Sequence, residues 1–494
     1  MLAEYIKTFT SHKWIFVISL IFIAVNAIFM AFGIFWFVSV PFILLLAYLA
    51  IRAIDKFILL IVFLTPLSVP LEYYYPGLGF NLQLITEPML ILVLLLFVYR
   101  IILEREFDRD ILTHPISWII YFQLFWIFFT SVTSTMPLVS FKFLISRIWF
   151  VVPFYFIGAA MFSRRSMMRR YVWMYLPGMI TVVIYAISNL AKKGLFNQQG
   201  AHLAASPFFN DHTSYGAILA MLIPVVIGLA TIKKYPLPWR ILSWIIFALL
   251  SFALLLSYTR AAWISIFIVF VIFVLIKLKI SWKIFGLATL AIVSLLYFYR
   301  TDIFFKMEQN RQDSSKDIAK HIESISNIRT DASNVERINR WNSAFRMFHE
   351  RPVTGWGPGT YMFQYAPFKA SHEKTIISTN RGDWGNAHSE YIGPLAESGV
   401  AGMLIMIILV IVSIYTGFRV YYKAEPHSQE RILSLAVTLG LITYYIHGTL
   451  NNFLDTDKAS ALVWGYTAMI VAMDIKQKHC LDESVHPDGN LSEK

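Results

Sequence analysis

The sequence is dominated by apolar runs, one after another, each about long enough to cross a bilayer. A hydrocarbon core about 30 Å thick takes about 17–25 predominantly apolar residues as a helix, and about fourteen segments qualify. They lie near 13–31, 34–51, 56–72, 85–103, 115–133, 143–162, 171–190, 211–232, 239–257, 260–277, 282–299, 391–420, 431–449 and 457–475. Runs this long satisfy their backbone hydrogen bonds in lipid as helices. The expected fold is therefore an all-α polytopic membrane protein with about 12–14 transmembrane helices.

Composition agrees. Hydrophobic residues make up 57% of the chain and charged residues only 15%, where a soluble domain carries roughly 25%. That leaves too little polar surface to cover a globular core. The single cysteine, Cys480, lies in the polar C-terminal tail, so no disulfide framework or cysteine-rich metal site is expected. The first run, Trp14 to Met30, leads directly into another with no small-residue cleavage site between them, so no cleavable signal peptide is expected. The net charge of +12 is explained by basic cytoplasmic loops, without nucleic acid as a partner.

Those loops also set the orientation. With the N-terminus in the cytoplasm, alternate short loops carry Arg52 and Lys56; Arg100, Arg105 and Arg109; Arg164, Arg165, Arg169 and Arg170; Lys233, Lys234 and Arg240; Lys277, Lys279 and Lys283; Arg419, Lys423 and Arg431; and Lys476 and Lys478. The intervening loops at 72–86 and 450–456 carry no basic residue. By the positive-inside rule both termini are expected in the cytoplasm. Three features interrupt the pattern on the outer side: Lys192 and Lys193 opening the 192–210 loop, Arg260 between two apolar runs, and a long polar segment, about 300–388. The expected organisation is a transmembrane region over 1–299, a large periplasmic loop over 300–388, C-terminal transmembrane helices over 389–475, and a cytoplasmic tail over 476–494.

Within the large loop, Val335, Ile338, Trp341, Phe345 and Phe348 recur at steps of three and four, with Glu336, Arg337, Asn339, Arg340 and Arg346 elsewhere. This predicts an amphipathic helix that rests on the membrane surface or caps a cavity, with its aromatic stripe serving packing rather than ligand contact. Pro352 ends it, and Gly355-Trp356-Gly357-Pro358-Gly359 is a turn. Without a preceding strand or a Lys-Ser/Thr ending, these glycines are not a phosphate loop. His388 stands at the mouth of the next span and Glu397 lies inside it. An ionisable group at or within hydrocarbon is costly, so each is a functional candidate; the alternatives are an interfacial histidine and a polar tie between helices.

Together, Arg337 to Gly359, Asn386-Ala387-His388-Ser389-Glu390-Tyr391 and Glu397-Ser398-Gly399-Val400-Ala401-Gly402 resemble the O-antigen ligase and polymerase superfamily, in order, spacing and side of the membrane. Ser206 to His212 is similar to the family's helix-opening segment, and Tyr258-Thr259-Arg260-Ala261-Ala262 to its serine-arginine segment. The resemblance covers roughly residues 200–470. It implies a GT-C-like helical fold and a metal-independent, inverting glycosyltransferase without cofactor. Such an enzyme moves a glycan from an undecaprenyl diphosphate carrier to a hydroxyl acceptor at the periplasmic face of the bacterial inner membrane. The acceptor would be lipid A-core for a ligase or the growing glycan for a polymerase, and a protein oligosaccharyltransferase is a close variant. His388 falls on the family's proposed base and Arg260 on a diphosphate-binding arginine, with Tyr258, Asn386 and Glu397 supporting them. The family's second arginine belongs to the loop corresponding to about 190–210, which has none here. Lys192 or Lys193 would substitute, or Arg147 or Arg381 from elsewhere.

The chemistry asks for the same groups. An acceptor hydroxyl must lose a proton as it attacks the anomeric carbon, and an imidazole suits that role. The departing diphosphate gains charge that a guanidinium fork can stabilise. The competing class is a transporter or flippase, for which the span count would serve. Paired repeats and midplane charges, however, are not evident. A non-catalytic scaffold for envelope assembly is the third reading.

Overall fold

In lipid a chain can satisfy its peptide groups only internally, and each expected span that lies within the described residues contains helix. The computed structural model describes residues 2–75, 82–103, 107–279, 294, 332–373 and 385–485. The expected span at 282–299 falls, but for one residue, outside them. Among the described residues, nine helices are long and apolar enough to cross a membrane, and the extended structure is one isolated bridge between Pro70 and Gln83. The protein is an all-α polytopic membrane protein.

The described chain forms two compact units, Met1–Ile58 and Leu59–Lys494. In the first, α1 (Leu2–Ala31) turns at Gly33 into a short 3-10 stretch and α2 (Val40–Arg52). Phe37 stacks on Phe29, with ring centroids 4.7 Å apart. α3 (Ile54–Leu64) carries the chain into the second unit.

That unit contains α4 (Thr86–Leu103), α5 (Pro115–Val132) and α6 (Pro137–Val151), which continues through a π-helical turn to Phe162. α7 (Arg165–Lys193), α8 (His212–Thr231), α9 (Leu237–Leu256) and α10 (Arg260–Lys277) follow. α11 (Ala332–Glu350) is the amphipathic helix of the polar segment. The last three are α12 (Ile392–Lys423), α13 (Gln429–His447) and α14 (Asp457–Val485).

α13 is the hub, packed against α8, α10, α12 and α14. Small residues let it approach α8 closely: a Cβ on Gly228 would lie 2.6 Å from the Ala436 methyl, and one on Gly440 only 2.8 Å from the Met221 carbonyl oxygen. α13 and α14 are not among the nine helices that are long and apolar enough to cross a membrane. They face protein rather than lipid, and bury Ser434, Thr438, Thr443, Ser460 and Thr467.

Ion pairs gather at one end of the bundle. Arg419 Nε donates to Asp474 at 3.0 Å, His114 lies 3.3 Å from the same carboxylate, and Arg165 pairs with Glu430. The candidate site residues gather at the other.

Candidate active site

Three segments converge at that second end: the 196–212 loop, the turn between α9 and α10, and the polar segment around α11 with residues 385–391. The first two are tied together. Asp211 caps α8, accepting from the Ser214 N–H at 2.8 Å and the Thr213 hydroxyl at 2.9 Å. The Thr259 hydroxyl donates to the His212 carbonyl at 2.7 Å. Gly216 makes room for it, since a Cβ there would be 2.5 Å from Thr259 Oγ1. Tyr258, at a left-handed φ of 51°, donates its phenol to the Phe196 carbonyl at 3.0 Å. The half-buried Arg260 opens α10 from this fixed turn.

The third segment is held by a broken helix. Within α12, Gly399 has φ 71° and ψ −170°, which strips carbonyls before it and an N–H after it of their helical partners. Buried peptide groups need replacements, and neighbouring segments provide them. The Trp356 N–H donates to the Ala396 carbonyl at 3.1 Å, the Gly357 N–H to the Glu397 carbonyl at 2.8 Å, and the Trp126 indole to the Ser398 carbonyl at 2.8 Å. In return the Val400 N–H donates to the Pro352 carbonyl at 3.1 Å. The Glu397 carboxylate accepts the Tyr361 N–H at 2.9 Å. A Cβ on Gly399 would collide with the Val353 carbonyl. Gly399→Ala is therefore expected to cost about 2–4 kcal/mol through overpacking and positive-φ strain, read as a lower unfolding midpoint in detergent. An unchanged midpoint would contradict this docking.

α11 packs on the docked turn with an unexpected face. Glu336, Asn339, Arg340, Ser343, Ala344 and Met347 are buried, whereas Phe345 is exposed and Val335, Ile338, Trp341 and Phe348 are half-buried. The most deeply buried face is thus the polar one rather than the aromatic stripe. The polar face can be buried because its groups are satisfied. Glu336 accepts from Arg340 Nε and Lys369 Nζ, both at 3.2 Å, and the Tyr361 hydroxyl donates to the Arg340 carbonyl at 2.7 Å. Arg340 Nη1 also donates to the Asn386 carbonyl at 3.1 Å.

That last bond positions His388. Its N–H donates to Asn386 Oδ1 at 3.0 Å, and its φ is 50°, a left-handed conformation of the kind that clusters at functional sites. Burial, then the charges of Arg340 and Arg337, push its imidazole down to about 4, against the opposing pull of Asp211 and Glu336. At neutral pH the ring is uncharged and can take a proton. Asp211 is the shared neighbour. Burial would raise its carboxyl, but the Ser214 N–H, the Thr213 hydroxyl and His212 together hold it below the usual range. It lies in the electrostatic field of Arg337, His388, His202 and His212. His202 and His212 stack with ring centroids 4.2 Å apart. Arg260 and Arg337 feel each other's charge, and His212 feels both.

The structure thus brings Arg260 and His388 to one charged cluster, with Tyr258 and Asn386 in the turns that carry them. Glu397 binds the docked turn rather than joining the cluster. Lys192 and Lys193 are exposed at the end of α7. Arg381 lies outside the described residues. Arg147 donates to Asp455 at 2.6 Å, beside Glu390. The second arginine of the cluster is Arg337, which the sequence offered as the opening residue of the family-like motif but without a role in the site. The available signal was its place one turn before Trp341. Among the described residues, no group of three or more His, Cys, Asp or Glu side chains is arranged to hold a metal ion.

The described residues thus gather two guanidiniums and an imidazole into one electrostatic cluster at one end of a helical membrane bundle. Residues 245–407 match the family model described as O-antigen ligase, in support of the resemblance to that superfamily. The match takes in Arg260, α11, the docked turn, His388 and Glu397. A comparison with curated proteins found no match.

Proposed function

We propose that the protein transfers a glycan from an undecaprenyl diphosphate carrier to a hydroxyl acceptor at the periplasmic face of the inner membrane, as a ligase acting on lipid A-core. The observation that carries this reading is the meeting of Arg260, Arg337 and an uncharged His388 within the segments matched to O-antigen ligase. His388 accepts the proton of the acceptor hydroxyl as its oxygen attacks the anomeric carbon. The bond from that carbon to the diphosphate oxygen breaks, its electron pair leaves with the diphosphate, and configuration inverts. Arg260 and Arg337 stabilise the charge that develops there. Arg337 supplies the second cation, and Lys192 and Lys193 serve the lipid headgroups at the surface. With two guanidiniums meeting the diphosphate, the step requires no metal ion.

Donor binding brings a diphosphate anion against the arginines that depress His388, so the imidazole rises in the complex. The acid limb of kcat/KM, which reports the free enzyme, is expected near pH 4. The limb of kcat, which reports the complex, is expected higher, towards the ordinary histidine value of about 6.5. Initial rates across pH check this, and a kcat limb at or below that of kcat/KM would contradict it.

Deleting the gene and separating the cell's lipopolysaccharide on a gel tests the acceptor. Undecorated core with accumulated lipid-linked polymer is the expected result. Core bearing a single repeat unit would point to a polymerase instead, and an unchanged profile would refute transfer onto core.

A further inference from the structure

His447 ends α13 and is buried, at 1% exposure. Its ring is held on two sides. The Asn451 side-chain nitrogen lies 3.1 Å from Nε2, and the Phe453 ring centroid is 5.7 Å away. An amide nitrogen can only donate, so Nε2 accepts and the ring's proton sits on Nδ1. That Nδ1 is buried and has no hydrogen-bond partner among the described residues. A buried donor left unpartnered in a fixed ring is costly, and such a group is met in a working protein by a water or a ligand.

The surroundings say what the ligand offers. His447 lies close enough to Arg337, Asp211 and His212 to feel their charges. Its turn is bolted to the segment that carries His388. The Glu390 N–H donates to the Gly448 carbonyl at 2.8 Å, and Glu390 Oε1 accepts the Phe453 and Leu454 N–H groups at 2.8 and 2.9 Å and the Tyr444 hydroxyl at 2.5 Å. His447 and His388 are therefore fixed to one another across residue 390, and both lie in the field of Arg337. His212 Nδ1 and Trp341 Nε1 are likewise buried without a partner among the described residues, and His212 is one of the groups whose charge reaches His447. A neutral N–H beside a guanidinium recognises an acceptor rich in negative charge, and phosphate oxygens are that acceptor.

We propose that His447 is a neutral hydrogen-bond donor, through Nδ1–H, to a non-bridging oxygen of the donor's diphosphate. The inference rests on the glycan-transfer reading above and adds to it an uncharged third ligand for the phosphates. Unlike the arginines, it contributes direction rather than charge, and its donor is available over the whole range in which His447 stays neutral.

The test uses the full-length protein in proteoliposomes with His447→Asn and His447→Gln. The asparagine side-chain nitrogen stands where Nδ1 stood, whereas that of glutamine reproduces the Nε2 position, so only the first keeps the proposed donor. Transfer kinetics are measured along with inhibition by farnesyl diphosphate, a polyprenyl diphosphate without sugar. The Gln variant is expected to lose about tenfold to a hundredfold in kcat/KM, with the inhibition constant rising in parallel. The Asn variant is expected to stay within about threefold of wild type on both measures. Equal losses in the two variants would mark a structural role and overturn the inference, as would a Gln variant equal to wild type. Weakened transfer with unchanged inhibition by farnesyl diphosphate would place the contact on the sugar and overturn it too. A wild-type protein that transfers no glycan would overturn the parent reading and this inference with it.

Discussion

His388→Ala is expected to lower kcat for glycan transfer by about 10²–10⁴-fold, the usual contribution of a positioned general base, with little change in the donor's KM. The side chain is half-buried, and its orientation is set by the left-handed backbone at 388 and by Asn386, itself held by Arg340. None of these supports uses the imidazole, so the variant is expected to fold and insert normally. That separates this loss from the structural loss expected at Gly399. Normal activity in a correctly inserted His388→Ala protein would remove the base from the mechanism. It would favour the scaffold reading.

Arg260→Ala and Arg337→Ala are each expected to lower kcat by about 10²–10³-fold, the scale of one lost group stabilising transition-state charge. The two arginines come from elements far apart in sequence, the first turn of α10 and the second turn of α11, yet they lie within each other's field. Like charges brought together under partial burial repel one another, an arrangement that an anionic ligand relieves. Arg337→Lys is expected to recover only part of the loss, because an ammonium supplies charge without the planar fork that matches phosphate oxygens. Lys192→Ala and Lys193→Ala are expected to stay within about threefold of wild type, being exposed interfacial residues. Steady-state rates on the five variants check the ranking. A large loss at Lys192 or Lys193 with none at Arg337 would reverse the assignment of the second cation.

The helices were legible because spans are written in runs of apolar residues that need no partner to be recognised. Arg260 and His388 were legible because ionisable groups at the ends of such runs stand out against hydrocarbon cost. Arg337 was not. Periodicity marks an apolar stripe as the packing face, but α11 buries Glu336 and Arg340, whose charges Lys369, Asn386 and each other satisfy. Nothing local to residues 332–350 announces partners at 369 and 386. The part played by Glu397 was hidden for the same reason, since it depends on the break at Gly399 and on a turn some forty residues upstream that fills it. Asp211 and His447 enter the cluster only when α8, α11 and α13 are packed together. Short-range pattern thus found the residues whose chemistry is conspicuous, while long-range packing chose their partners.

Transfer of a glycan off a lipid diphosphate by this cluster can be followed in a single reaction. The direct measurement is to incubate the purified protein in proteoliposomes with an undecaprenyl-diphosphate-linked glycan and lipid A-core, following glycosylated core and released undecaprenyl diphosphate together. Both are expected in equal amounts with the wild-type protein, and neither above background with His388→Ala. Consumption of the donor without a glycosylated acceptor, or equal product from the two proteins, would contradict it.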